Sequence, residues 1–354
     1  MDKRLTILIA PLDWGLGHAT RCVPLINELN AMGHRVIIGA SGSGFTYLQT
    51  VFPYLEIIRL KDYKIKYFRN PFFTYLYNVF NIPYRIWQDR KALSVILKIY
   101  DVDLIISDNR FGFYCNSISS VCVTHQLNIQ HPNGWVKRLI NHLNEFILNK
   151  YNEIWVVDDY KTHFAGDLST SSSIAKKFYL GLLPSIEAEE SDETTNQFLL
   201  ILSGPEPMKS IWLNEVCCHF LEWGKSLSVV GEATKIDQRY LAEKSIKLLG
   251  LLDGKELANI ISQSEFIIAR SGYSTLMDLS GFGKKLILIP TPYQTEQIYL
   301  ANYFQTQGWA TWIEQKDLNA RELTKMMDRI VPMPKFVRHE KLELFLAKRL
   351  KKLI

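Results

Sequence analysis

Cysteine is scarce in this chain: five occur in 354 residues, irregularly placed at Cys22, Cys115, Cys122, Cys217 and Cys218. An odd number with one adjacent pair fits neither a disulfide framework nor the spacing of zinc ligands, which predicts a reducing, cytoplasmic setting. A long apolar run is missing from the start, since the first one, residues 5–12, stops at Asp13 after eight residues. Eight residues are too few to cross a bilayer and no cleavage-like site follows, so the run reads as a first strand. A dinucleotide fingerprint is missing as well, because the G-x-G-x-x-G spacing fails after Gly17, and the loop lacks the Lys-Ser/Thr pair of a P-loop.

What is present is ordinary globular composition, 47% hydrophobic and 22% charged. At roughly 150 residues per domain the length predicts two domains, each large enough to bury a core. Charge divides them. Residues 1–184 hold 20 Lys+Arg against 14 Asp+Glu, a net +6, whereas residues 185–354 hold 21 against 22, a net −1. The basic first half suits an anionic partner such as a membrane surface, a phosphorylated acceptor or nucleic acid, and the sign alone does not choose among them.

Short β-branched runs alternate with helical patterns in both halves, which predicts α/β architecture with doubly wound parallel sheets. Strands are expected at 5–10, 35–40, 55–59, 104–107, 120–124 and 154–157, then at 198–202, 226–230, 246–249, 266–269, 286–289 and 310–313. The acidic stretch 184–196 has no apolar period and reads as a linker. The expected domains are therefore 1–184 and 185–334, with a last helix over 335–354 carrying Leu342, Phe345, Leu346, Leu350 and Leu353 on one side among lysines and arginines. Such a helix either packs back on the first domain or lies on a membrane.

Candidate site residues gather after strands, where open α/β sheets place ligands. The first strand leads through Asp13, Gly15 and Gly17 to His18, and a helix is expected from 19 to 32. His18 either takes a proton as a neutral imidazole or merely caps that helix. Asp108 ends another strand and either steadies His18 or serves as a turn residue. In the second half three loops repeat the theme: Ser203-Gly204, then Arg270-Ser271-Gly272-Tyr273 with Asp278 farther into the helix, then Glu296-Gln297. Small hydroxyl residues and glycine before a helix, with an arginine beside them, suit a diphosphate. Adjacent Glu and Gln side chains suit several sugar hydroxyls.

The run Ile268-Ala269-Arg270-Ser271-Gly272-Tyr273-Ser274-Thr275-Leu276-Met277-Asp278-Leu279, followed by Gly283, Pro290, Thr295-Glu296-Gln297 and Gly308, resembles the MurG-like glycosyltransferases. Gly15-Leu16-Gly17-His18, Gly33-His34 and Thr124-His125-Gln126-Leu127-Asn128 resemble the same family. The resemblance implies a GT-B fold of two Rossmann-like domains facing a cleft. It implies an inverting transfer of a sugar, GlcNAc by analogy, from a UDP-sugar co-substrate to a hydroxyl of a lipid-linked or cell-envelope glycan acceptor. No cofactor and no metal are expected; the D-x-D triplet at Asp101-Val102-Asp103 precedes a strand and is set aside.

By the same resemblance Ser271, Gly272 and Tyr273 would meet the diphosphate, Asp278 the ribose, Leu252 the uracil, and Glu296 with Gln297 the donor sugar. Ser203 and Gly204 would belong to this donor set, with Arg270 and the helix dipole stabilising the leaving diphosphate. His18 would stand beside the attacking hydroxyl, and Asp13, Gly15, Gly17, His125 and Gln126 would line the acceptor side. Two rivals remain: a UDP-GlcNAc epimerase on the same scaffold, and a catalytically inactive nucleotide-sugar sensor.

Residues 59–98 hold nine Lys+Arg against two Asp+Glu, interleaved with ten aromatic residues that include Tyr67, Phe68, Phe72, Phe73, Tyr75, Phe80, Tyr84 and Trp87. Such a segment either meets an anionic membrane or forms a helical pair buried over the acceptor cleft. The first alternative predicts a peripheral protein on the cytoplasmic face of the membrane. No nucleic-acid module is recognisable, so nucleic acid is not an expected partner.

Overall fold

In the computed structural model, residues 4–12, 15–62, 71–188 and 194–354 are described, with the backbone alone at 71–80 and at Leu241. The chain divides into two compact units, residues 1–183 with 338–354, and residues 184–337.

The first unit contains strands β1 (Thr6–Pro11), β2 (Arg35–Ala40), β3 (Glu56–Arg59), β4 (Leu104–Asp108), β5 (Ser119–Thr124), β6 (Glu153–Val156) and β7 (Lys177–Tyr179). Its helices are α1 (Leu16–Ala31), α2 (Gly42–Val51), α3 (Pro71–Ile99) and α4 (Gly134–Leu148). The second unit contains β8 (Asn196–Ile201), β9 (Leu227–Val230), β10 (Ile246–Leu248), β11 (Ser264–Ala269), β12 (Lys285–Leu288) and β13 (Thr311–Trp312). Its helices are α5 (Met208–Trp223), α6 (Gln238–Ala242), α7 (Gly254–Ser262), α8 (Tyr273–Leu279), α9 (Thr295–Thr306) and α10 (Ala320–Met327). A last helix, α11 (Leu342–Leu353), returns to the first unit.

Both sheets are parallel throughout and share one winding. The first runs β3-β2-β1-β4-β5-β6-β7 and the second β10-β9-β8-β11-β12-β13. Each therefore reverses direction between its first strand and its fourth, which opens a crevice at the strands' carboxyl ends: β1 beside β4, and β8 beside β11. The strands themselves follow from composition. β1, β2, β4 and β12 are runs of Ile, Leu and Val buried almost end to end, as parallel strands covered on both faces must be.

Cores form on the sheet faces. In the first unit Leu8, Ile37 and Ile105 meet Leu93 and Ile96 of α3. In the second, Phe198 packs on Phe220 and Phe266 with ring centroids 5.2 and 5.1 Å apart, beside Trp212 and Val216. The apolar side of α11 is buried within the first unit, where Phe345 meets Trp155 edge to face at 5.4 Å and Arg349 pairs with Glu153. Those contacts leave no apolar side of this helix for a membrane.

Several boundaries differ from the sequence reading. β7 was not expected; at three half-buried residues it is too short to show a period. The last helix starts at Leu342 rather than near 335. The first helix begins at Leu16, three residues early, where Gly15 turns the chain at φ 81° and no side chain caps the helix. His18 thus stands in the first turn of α1 and not in a loop. Within residues 59–98 the described helix is α3, with Leu93 and Ile96 buried and Tyr84 and Trp87 more than half exposed. Tyr67 and Phe68, and the side chains of Phe72, Phe73, Tyr75 and Phe80, lie outside the described residues.

Candidate active site

At the first crevice, β1 and β4 run in register so that Pro11 faces Asp108, and the Leu12 N–H donates to the Asp108 carbonyl at 2.9 Å. Asp108 is the final residue of its strand, with a wholly buried side chain. His18 Nδ1 lies 3.1 Å from Asp108 Oδ2, and the imidazole keeps 15% of its surface open. The structure thus brings together the two residues that the sequence placed after different strands.

Sequence reasoning missed the centre of this cluster. Arg21, 1% exposed, donates from Nε to Asp108 Oδ2 at 3.0 Å and from Nη2 to Asp108 Oδ1. The same Nη2 lies 2.7 Å from His18 Nδ1, and Nη1 lies 3.1 Å from Nδ1 of His125, the residue that follows β5. The available signal was spacing: an arginine three residues after a histidine shares its helix face. Gln126 follows His125, its N–H held by the Thr124 hydroxyl at 3.0 Å and its carbonyl by Asn144 at 3.1 Å. Gly17 sits in the first turn of α1, and its carbonyl accepts from the Thr20 hydroxyl at 3.2 Å. Asp13 lies outside the described residues.

Charge in the cluster follows from burial and from the guanidinium. Burial would raise the Asp108 pKa, but Arg21 and then His18 outweigh it and bring it to about 2. Burial, and next the Arg21 charge, pull His18 below its ordinary 6.5, against the opposing pull of Asp108. At neutral pH the cluster therefore holds a neutral imidazole beside a fixed ion pair. Nδ1 has one in-plane position, which either donates to Asp108 or accepts from Arg21. Donation to Asp108 leaves Nε2 with its lone pair, the form a general base requires.

The second crevice has a different chemistry. Arg270 and Ser271 directly follow β11, and the Ser271 hydroxyl donates to the Gln297 carbonyl at 2.8 Å. The Gln297 side-chain oxygen accepts the Thr291 N–H at 2.7 Å, and its Nε2 lies 3.9 Å from where a Cβ on Gly272 would stand. Hence the loops after β11 and β12 meet through Gln297, with Glu296 beside it in the first turn of α9. Gly272 caps α8, and Tyr273 is 2% exposed, so this residue offers a ligand its backbone rather than its ring. Ser203 and Gly204 follow β8, Gly204 at φ 104°, and Glu206 ties their loop to the Thr234 N–H at 2.8 Å. Leu252 is half-buried just ahead of α7, whose start is fixed by the Asp253–Glu256 capping box.

Two residues of this set are bonded within the second unit. Arg270 was expected beside the diphosphate, yet its guanidinium donates to the Ile289 and Pro290 carbonyls at 2.9 and 3.0 Å and to Gln315 at 2.7 Å, while lying over the Trp212 ring at 4.1 Å. Burial lowers its pKa to about 9, which leaves it a cation that clamps the end of β12. Asp278, expected at a ribose, accepts from the Ser185 N–H at 2.6 Å and hydroxyl at 3.0 Å, and burial raises its pKa to about 6. Asp103 of the set-aside triplet accepts the Thr6 N–H at 2.8 Å and so fastens the start of β1. Among the described residues no group of three or more His, Cys, Asp or Glu is placed to hold a metal ion.

Residues 228–354 match the glycosyltransferase family 28 C-terminal domain. Among curated proteins the chain is similar to the UDP-N-acetylglucosamine–N-acetylmuramyl-(pentapeptide) pyrophosphoryl-undecaprenol N-acetylglucosamine transferase of Leptospira interrogans, 36% identical over 69 residues, 19% of either chain. It is also similar to the enzyme of the same name from Wolinella succinogenes, 21% identical over 245 residues, 66% of either chain. The chain thus spans about a fifth of the length of the first of these relatives. Among solved structures, the spinosyn forosaminyltransferase SpnP superposes with a TM-score of 0.66 at 13% identity over 99% of both chains. MurG of Acinetobacter baumannii superposes with a TM-score of 0.58 at 13% identity, covering 99% of this chain and 94% of its own. With two parallel Rossmann-like sheets of matching order and these likenesses, the chain has a GT-B fold, and its residues 228–354 match the glycosyltransferase family 28 C-terminal domain.

Proposed function

We propose that the protein is an inverting glycosyltransferase that moves a sugar from a UDP-sugar to a hydroxyl of a lipid-linked or cell-envelope glycan acceptor. UDP-GlcNAc is the donor this reading favours, because the curated relatives are named for UDP-N-acetylglucosamine. The observation that carries the reading is the His18–Asp108 pair, 3.1 Å apart, at the reversal point of the first sheet. A nucleotide-sugar sensor has no use for a buried base.

His18 donates from Nδ1 to Asp108 and accepts the acceptor's hydroxyl proton at Nε2. The freed oxygen attacks the anomeric carbon, a new C–O bond forms, and the bond to the diphosphate breaks with its electron pair leaving on UDP. Asp108 does not change protonation; it orients the ring and stabilises the imidazolium. Arg21 fixes Asp108 and keeps His18 neutral until the proton arrives. His125 and Gln126 line the acceptor side, with Gly15 and Gly17 shaping the approach.

In the second unit Ser271, Gly272 and the Tyr273 backbone receive the diphosphate, with Ser203 and Gly204 beside them. Glu296 and Gln297 receive the donor sugar, Leu252 the uracil and Asp278 the ribose. With Arg270 clamping β12, the leaving group relies on backbone N–H groups and hydroxyls, and no metal takes part.

A nucleotide-sugar thermal-shift panel followed by turnover in EDTA tests the reading. UDP-GlcNAc raises the melting temperature by mass action, and turnover survives chelation. Turnover that collapses in EDTA and returns with Mn²⁺ rejects the mechanism. UDP binding without turnover on any acceptor rejects transfer and leaves the sensor. Interconversion of the donor sugar without an acceptor makes it an epimerase.

A further inference from the structure

The chain leaves β4 through the turn Ser107-Asp108-Asn109-Arg110. The turn is tied to itself: the Ser107 hydroxyl donates to the Arg110 carbonyl at 2.7 Å and accepts the Arg110 N–H at 3.1 Å. Both neighbours of Asn109 have their charges engaged. Asp108 accepts from Arg21 at 3.0 Å and stands 3.1 Å from His18. The Arg110 guanidinium, 2% exposed, donates to Asp89 at 2.8 Å, to the Ser41 hydroxyl at 3.1 Å and to the Lys61 carbonyl at 3.0 Å. Asn109 differs from both. It is 8% exposed, and among the described residues its side-chain amide has no hydrogen-bond partner. A polar group so far buried without a partner is costly and uncommon, and it belongs where a ligand supplies the missing bond.

Backbone shape does not account for this asparagine. Its φ is 54°, a left-handed conformation that asparagine tolerates, but glycine fits there at no steric cost and leaves no amide unsatisfied. The chemistry of the amide does account for it. A carboxamide carries two N–H donors and an accepting oxygen, the pair of functions that a sugar hydroxyl complements. It also carries no charge. A carboxylate at this position would add a second anion beside Asp108, and an ammonium would compete with Arg21 for that carboxylate. A ligand met by a neutral amide is itself neutral at that point, a hydroxyl and not a phosphate.

We propose that Asn109 is an acceptor-binding residue, whose amide N–H donates to a sugar hydroxyl of the acceptor beside the hydroxyl that His18 deprotonates. The residue directly follows Asp108 at the carboxyl end of β4, where the first sheet reverses. The Ser107 and Arg110 bonds hold the turn in place, so the amide is set before the acceptor arrives. The proposal deepens the reading of a glycan acceptor and rests on the assignment of His18 as the base.

Transfer from UDP-GlcNAc to a panel of octyl hexosides and their monodeoxy analogues, measured on the full chain at pH 8, is the test. Asn109→Gly raises the acceptor KM about tenfold with kcat unchanged, the mark of a lost uniform-binding contact. Asn109→Asp, which keeps the shape and loses the N–H donors, raises it as well. On the monodeoxy analogue that lacks the bonded hydroxyl, wild type and Asn109→Gly have the same KM, whereas a merely structural role would separate them on every acceptor. Glycine fits φ 54°, so melting temperature and the UDP-GlcNAc thermal shift stay at wild-type values in Asn109→Gly. A wild-type KM in either variant overturns the proposal, as does a KM raised equally on every analogue. Wild-type turnover with an indifferent Asn109→Gly removes the role of Asn109 and leaves glycosyl transfer standing. A wild type that transfers to none of the glycosides overturns the sugar acceptor on which that role rests.

Discussion

The two units wind their sheets in the same order and reverse at the same place, yet they fill that place with opposite materials. At the β1/β4 crevice the side chains are ionisable and largely buried: His18, Arg21, Asp108 and His125 form one hydrogen-bonded chain. At the β8/β11 crevice the groups are hydroxyls, amides and backbone, and the one arginine nearby is spent on clamping carbonyls. Topology decides where a site opens; side-chain chemistry decides whether it moves protons or holds a ligand. Substitutions in the first crevice should therefore change rate and pH dependence, and those in the second should change donor affinity.

The largest effect is expected from His18→Ala, which should lower turnover by roughly 10²–10⁴ while leaving the UDP-GlcNAc thermal shift intact. Normal turnover in this variant would move the base elsewhere. Arg21→Met should come next. It leaves the buried Asp108 carboxylate unpaired, at a loss of about 3–5 kcal/mol in stability measured by chemical denaturation. It also removes the second cause of His18's lowered pKa. Because a lowered imidazole pKa sets the acid limb of the rate profile below 6.5, the limb should shift upward in Arg21→Met. A limb that stays put would mean that burial alone keeps His18 neutral.

Gln297→Ala should weaken UDP-GlcNAc binding about tenfold by removing the Thr291 acceptor and the sugar's donor. Its pH profile should match wild type, and a displaced acid limb would break the division between the crevices. The smallest effect belongs to Asp278→Asn. The Asp278 pKa is raised from 3.8 to about 6, so the folded state binds more protons than the unfolded state in that window. Its contribution to stability is therefore lost as pH rises through the window. The amide keeps an oxygen for Ser185 and carries no charge, which should flatten this loss and stabilise the protein above pH 6 by on the order of 1 kcal/mol. Identical pH dependence in both proteins would show that Ser185 already holds the carboxylate ionised.

Much of this was legible in the chain. Short apolar runs such as 104–107 and 286–289, alternating with helical patterns, read as buried parallel strands, and glycine, serine and histidine after such strands mark the crevices. β7 and the early start of α1 were not legible, since a three-residue strand has no period and no capping side chain announces a helix that starts after Gly15. Arg270 read as a free cation beside a phosphate loop because sequence shows a charge without its partners. Arg21 read as one more helical arginine for the same reason.

By itself the sequence determined the two-unit α/β plan and which loops carry chemistry, because strand burial and turn residues are local properties of composition and spacing. Tertiary structure alone decided the partners. Arg21, Asp108 and His125 come from three elements and are up to 104 positions apart, and only the sheet order brings them within 3.1 Å. It likewise turned Asn141 and Asn144 of α4 inward with Leu148, and Trp135, Leu139, Leu143 and Phe146 outward, because the carbonyls after β5 needed donors. A periodic pattern in sequence divides a helix into two faces, and what each face must satisfy chooses which one goes inside.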